Sequence, residues 1–128
     1  MNFWIWITMV ILDFSMPIVM IVMGSKFTKS APKKINSLYG YRTTMSMKNK
    51  DTWEFAHHYF GKLWFKIGIV LALVTIIPII LMYGKDENFI STVGTIVAFV
   101  QLIPLIYPIF PTEKALSKTF DKDGNRIN

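Results

Sequence analysis

Three uninterrupted apolar runs constrain this chain more than any other feature. Phe3 to Met23, Leu63 to Tyr83 and Phe89 to Phe110 each reach the roughly 20 residues that a helix needs to cross a ~30 Å hydrocarbon layer. Backbone polar groups inside hydrocarbon must be satisfied within their own segment, so each run reads as a transmembrane helix. With 52% hydrophobic residues, the chain is too apolar for an ordinary soluble domain. The expectation is a single all-α integral membrane domain over residues 1–128, with three spans, a polar loop over 24–62 and a tail over 112–128.

The first run holds one charge, Asp13, and no Lys or Arg precedes it. It therefore reads as a retained span rather than a signal peptide, with Gly24 as its helix stop. The second is free of charge from Ile67 to Tyr83 and contains Pro78, which is expected to kink it. The third carries Gln101, Pro104 and Pro108, and the short "GKDEN" link makes the last two spans an antiparallel hairpin.

Eight Lys or Arg lie between Gly24 and Lys62 against two acids, one lies in the 84–88 turn, and four follow Pro111. The positive-inside rule then places the 24–62 loop and the C-terminus in the cytoplasm and the N-terminus outside. Basic charge beside a span serves topology and attraction to anionic lipid, so the bilayer is the expected partner and direct nucleic-acid binding is not. The chain has no Cys, which excludes disulfides, thiolate metal sites and thiol catalysis. Three spans enclose little by themselves, which leaves a homo-oligomer open.

The polar chemistry is concentrated in one segment, "NSLYGYRTTMSMKNKDTWEFAHHYFGK", Asn36 to Lys62. Asp51-Thr52-Trp53-Glu54 fits a capping box, so a helix is expected to start there. From that cap, Trp53, Ala56, His57, Phe60, Gly61 and Trp64 share one helical face, while Glu54, His58 and Lys62 form a polar stripe. This is expected to be an amphipathic helix, either lying at the cytoplasmic interface or continuing directly into the second span. Ahead of it, Gly40 permits a turn that would set Tyr39, Tyr41 and Arg42 together, beside Thr43. The rigid fork of Arg42 suits either an anionic lipid or peptide group, or carbonyls at a helix end that it would brace.

His57 and His58 point about 100° apart on a helix and do not share one metal ion easily. His57 is expected instead to hydrogen-bond with Asn49, Ser46 or Arg42. Asp13 is the one ionisable group deep in a span, where a carboxylate costs about 2.5–3.5 kcal/mol on insertion scales. It should face the bundle interior or be protonated, either hydrogen-bonded to Ser15 or Gln101 or in a proton- or ligand-linked role. No nucleophile with a base in reach, carboxylate pair or phosphate loop stands at workable spacing, so neither an enzyme nor a cofactor or metal is expected. "DKDGNRIN" signals a turn, and the chain ends before the later ligands of a calcium loop could appear.

Written as a pattern, the polar segment is NxxYGYRTxxSxxNxxxWxxAHxxxGK, filled by Asn36, Tyr39, Gly40, Tyr41, Arg42, Thr43, Ser46, Asn49, Trp53, Ala56, His57, Gly61 and Lys62. Together with "MPIVMIVMG" before it and Gly68 after it, this resembles the SdpI family of small bacterial membrane proteins. The resemblance implies a multi-pass protein of the bacterial cell membrane that gives immunity to a secreted antimicrobial peptide. For the family's longer namesake it also implies a cytoplasmic transcriptional repressor as partner. Beside it, the residues leave open a small transporter or lipid-binding protein using Asp13, Gln101 and Arg42, or an anchor recruiting a cytoplasmic regulator. The residues expected to work together are Arg42, Asn49, Trp53 and His57, as one buried hydrogen-bonded network.

Overall fold

A computed structural model describes residues 2–127. Five helices follow in order: α1 (Phe3–Lys29), α2 (Lys50–Met82), α3 (Glu87–Val100), α4 (Leu102–Ile106) and α5 (Ile109–Thr119). Three stretches are long and apolar enough to cross a membrane: α1, α2 and the Glu87–Thr119 stretch built from α3, α4 and α5. Among the described residues the only β pairing is an isolated antiparallel bridge between Phe120 and Arg126. It closes the expected tail turn, in which the Asp121 N–H donates to the Asn125 carbonyl at 2.8 Å.

Helix α1 does not stop at Gly24 but continues to Lys29. Gly24 instead lies at a close approach of α1 and α2: a Cβ there would meet the Phe65 backbone N at 2.6 Å and the Gly61 carbonyl oxygen at 2.8 Å. Small residues let helix backbones meet in this way, and close packing is what drives helix association where no hydrophobic effect separates helix from lipid. Further along the same antiparallel pair, Gly68 packs on Met20 and Ile21. At its far end the Trp6 Nε1–H donates to the Ile79 carbonyl at 3.0 Å.

The amphipathic segment and the second span are one helix of 33 residues, about 50 Å long at the α-helical rise. That exceeds the hydrocarbon layer, so its first turns project beyond it. Its cap is not the expected Asp51/Glu54 box. Asn49 is the N-cap: its side chain accepts from the Thr52 N–H at 2.9 Å, and the Thr52 hydroxyl accepts from the Asn49 N–H at 3.0 Å. Asp51 pairs with Arg126 at 2.8 Å on the surface.

The third span is not one uniform helix over 89–110. It begins at Glu87 behind an Asp86 cap, is interrupted at Gln101 and again at Tyr107–Pro108, and runs on as α5 to Thr119. Much of the expected tail is therefore helical. Proline explains the breaks: Pro104 and Pro108 lack the N–H that would bond to the carbonyl four residues earlier. Between the two breaks, the Trp64 Nε1–H donates to the Leu105 carbonyl at 3.0 Å.

Candidate functional site

The loop between α1 and α2 has no regular secondary structure, so its backbone groups must find partners one by one. Short polar side chains supply many of them. The Asn36 Oδ1 accepts from the Leu38 and Tyr39 N–H groups at 2.9 and 2.6 Å. Thr43 and Ser46 cap one another: the Thr43 N–H donates to the Ser46 Oγ at 2.8 Å and the Ser46 N–H to the Thr43 Oγ1 at 3.2 Å. The buried Ser46 hydroxyl also donates to the Tyr41 carbonyl at 3.0 Å.

His57 is the pin that joins this loop to α2. It is fully buried, with ring centroids 4.2 Å from Trp53 and 4.9 Å from Phe27. The Tyr41 N–H donates to its Nε2 at 2.8 Å, while Nδ1 lies 2.7 Å from the Trp53 carbonyl. Because Nε2 accepts and the carbonyl can only accept, the ring is neutral with its proton on Nδ1. Both nitrogens are engaged within the fold, and the one ligating lone pair, on Nε2, is taken by the Tyr41 N–H. Gly40 makes this possible, since its φ is +110° and a Cβ would sit 2.6 Å from the His57 Nε2.

The two tyrosines around Gly40 diverge rather than cluster. Tyr39 turns towards α1, where its hydroxyl accepts from Lys26 at 3.0 Å. Tyr41 is buried and turns towards α5, donating to the Glu113 carboxylate at 2.5 Å, and the Thr43 hydroxyl donates to the same oxygen at 2.9 Å. Burial, and then Glu113, push the Tyr41 phenol above its ordinary range. The loop is thus fastened at Lys26, His57 and Glu113.

The expected network of Arg42, Asn49, Trp53 and His57 does not form as one unit. Asn49 donates to the Gly124 carbonyl at 2.8 Å and the Trp53 Nε1–H to the Pro32 carbonyl at 2.9 Å. His57 bonds to Tyr41 and Trp53, not to Asn49, Ser46 or Arg42. Arg42 is exposed, and its guanidinium donates to the Ser37 carbonyl. A solvated guanidinium loses little hydration, whereas burying it would demand several acceptors that the loop has already committed. Arg42 therefore stands at the rim of a cavity of about 380 Å³ whose walls include Met23, Phe27, Phe60, Trp64 and Ile109. Gly61, further down α2, serves the contact with α1.

Sequence reasoning missed Glu113. The signal available was that it is the lone acid between Glu87 and Asp121.

Asp13 and Gln101 meet at a second place, between α1 and the break after α3. Both are buried. The Gln101 Nε2 donates to the Asp13 backbone carbonyl at 2.7 Å and to the Thr75 Oγ1 at 3.0 Å. That carbonyl is free because Pro17, four residues on, has no N–H. Among the described residues the carboxyl group itself has no hydrogen-bond partner, neither Gln101 nor Ser15, whose hydroxyl donates to the Leu12 carbonyl.

Comparison with known proteins places these residues in context. The model of the SdpI/YfhL protein family matches residues 33–112, which includes the loop from Asn36 to Asn49 and also Trp53 and His57. Among curated proteins, the uncharacterized protein YfhL of Bacillus subtilis (strain 168) is 42% identical over 53 residues, 41% of this chain and 48% of that protein. The chain thus matches about half the length of this relative. No solved structure matches.

Proposed function

The chain belongs to the SdpI/YfhL protein family, and on that premise we propose that it protects a bacterial membrane against a secreted, membrane-active peptide. The reading assigns the chain no catalysis. Protection rests on binding, with the loop end in the cytoplasm and the N-terminus outside, as the distribution of Lys and Arg favours. One observation carries it: Tyr41, Thr43, Ser46, Asn49, Trp53 and His57 lock the loop, and the locked loop holds Arg42 exposed at the mouth of a largely apolar cavity. Apolar walls and one charged fork form a site for an amphipathic chain bearing a carboxylate.

The test is survival of a sensitive bacterium challenged with a secreted peptide toxin. It compares the parent chain with Arg42→Ala and His57→Ala at equal membrane levels. Parent cells are expected to survive and Arg42→Ala cells to die although the variant melts like the parent. His57→Ala should lose both protection and thermal stability. Full protection by a stably inserted Arg42→Ala protein would refute the role given to the cavity mouth, and no protection by the parent would refute the function.

A further inference from the structure

Asp13 sits at the midpoint of the Phe3–Met23 run, about 15 Å from either end at the helical rise. A count of donors and acceptors around it does not balance. The polar side chains meeting there are Asp13, Thr75 and Gln101, all buried. Their donors are the two N–H bonds of the Gln101 amide and the Thr75 hydroxyl. The first two go to the Asp13 carbonyl and the Thr75 Oγ1, and the hydroxyl goes to the Leu71 carbonyl at 2.7 Å. All three are in use, yet Asp13 Oδ1, Asp13 Oδ2 and Gln101 Oε1 remain buried without a partner. Turning the amide over does not help, because it would set the Gln101 oxygen against the Asp13 carbonyl, two acceptors face to face.

Nor does the protein supply a positive charge. No charged residue occurs from Ile67 to Met82 in α2 or from Asn88 to Ile106 through α3 and α4, and Asp13 is the lone charge between Phe3 and Ser25 in α1. Three oxygen acceptors with no donor, in a region free of cationic side chains, are what a cation-binding site presents. A cavity of about 210 Å³ lined by Thr75, Pro78, Val97 and Gln101 adjoins the cluster.

We propose that Asp13 and Gln101, with Thr75 holding the Gln101 amide in place, form an intramembrane site for one exchangeable monovalent cation, a proton or a sodium ion. This site is separate from the Arg42 cavity and does not depend on the protective function. The bound cation supplies the missing partner. The Pro17-freed carbonyl and the break at Gln101 tie its occupancy to the junction of α1, α2 and α3.

The chain has five aspartates. Asp51, Asp86, Asp121 and Asp123 are exposed or half-buried outside the spans, so the Asp13→Asn spectrum identifies which signal belongs to the buried carboxyl. The experiment is carbon-13 NMR of aspartate-carboxyl-labelled full chain in lipid nanodiscs, begun at neutral pH in choline chloride. One carboxyl signal in the acid form is expected, and it should be missing in Asp13→Asn. Its reversible loss on raising the pH, with or without sodium chloride, supports the site and identifies a proton. Its loss on adding sodium chloride at fixed pH supports the site and identifies sodium. Five ionised carboxylates in sodium-free buffer would overturn the proposal, as would an acid signal that neither alkaline pH nor sodium removes. The wild-type spectrum decides between these outcomes even if Asp13→Asn fails to insert.

Discussion

Replacing Gly24 by alanine tests the packing logic most directly. The added Cβ would lie 2.6 Å from the Phe65 backbone N and 2.8 Å from the Gly61 carbonyl oxygen. Neither atom belongs to a side chain that could rotate away, so α1 and α2 must part by about 0.8 Å to restore ordinary contact. A gap of 0.5–1 Å forfeits roughly a quarter to a half of the dispersion attraction of each contact it touches. Overpacking of this kind costs about 1–3 kcal/mol, set against the ~0.8–1.0 kcal/mol by which alanine is the better helix former. A net loss of about 1 kcal/mol, within a range of roughly 0–2, is expected from those two figures, read from equilibrium unfolding of the protein in mixed micelles. Gly94→Ala is the control. Its Cβ would approach equally closely, 2.5 Å from the Sδ and 2.8 Å from the Cγ of Met9, but these belong to a flexible side chain that repacks readily. Because the same helix-propensity gain applies there, it should be as stable as the parent or more stable, by up to about 1 kcal/mol. Equal behaviour of the two variants, or a Gly24→Ala protein more stable than wild type, would refute the claim that backbone contact decides.

Two other expectations concern the loop. Tyr41→Phe removes the hydrogen bond to Glu113 and should cost about 0.5–1.5 kcal/mol in thermal unfolding. It should also remove an alkaline sensitivity: the folded state holds the Tyr41 phenol above its ordinary range. That contribution is complete below a pH of about 10, where an unfolded tyrosine titrates, and is lost as the pH rises above it. A wild-type protein with no more alkaline sensitivity than Tyr41→Phe would contradict this. For orientation, the cysteine-free chain allows single-cysteine labelling of intact cells with an impermeant maleimide. Lys85→Cys should label and Lys122→Cys should not, and the reverse pattern would invert the proposed topology.

Much of the architecture was legible because its cause is local. A long apolar run must be helical in hydrocarbon, so the three spans could be read from the sequence. The buried stripe of Trp53, Ala56, His57, Phe60 and Gly61 followed from helical spacing. What was not legible depended on distant partners. The pattern favours an Asp51-x-x-Glu54 cap, whereas the fold caps the helix with Asn49. In the fold Asn49 also reaches the Gly124 carbonyl, 75 residues away, while Asp51 is held by Arg126. Gly24 has the composition of a helix stop, and only the neighbouring helix shows that it is a contact. Arg42 looked like the centre of a network because its donors are many. Its neighbours had met their needs with Ser46, Thr52 and backbone groups, which left it to solvent. The bond between Tyr41 and Glu113 spans 72 residues, a separation at which no local pattern speaks.

The link between Asn49 and Gly124 bears on the order of events during synthesis. The helix cap next to the loop is completed by a carbonyl that emerges 75 residues later, which at about 5–20 residues per second is a delay of roughly 4–15 s. Arg126, which ties Asp51 to the tail, arrives later still. For those seconds the nascent α1–α2 pair can already be inserted while its loop lacks its last fastening, so a quality-control protease or chaperone would meet an open form that the finished protein no longer shows.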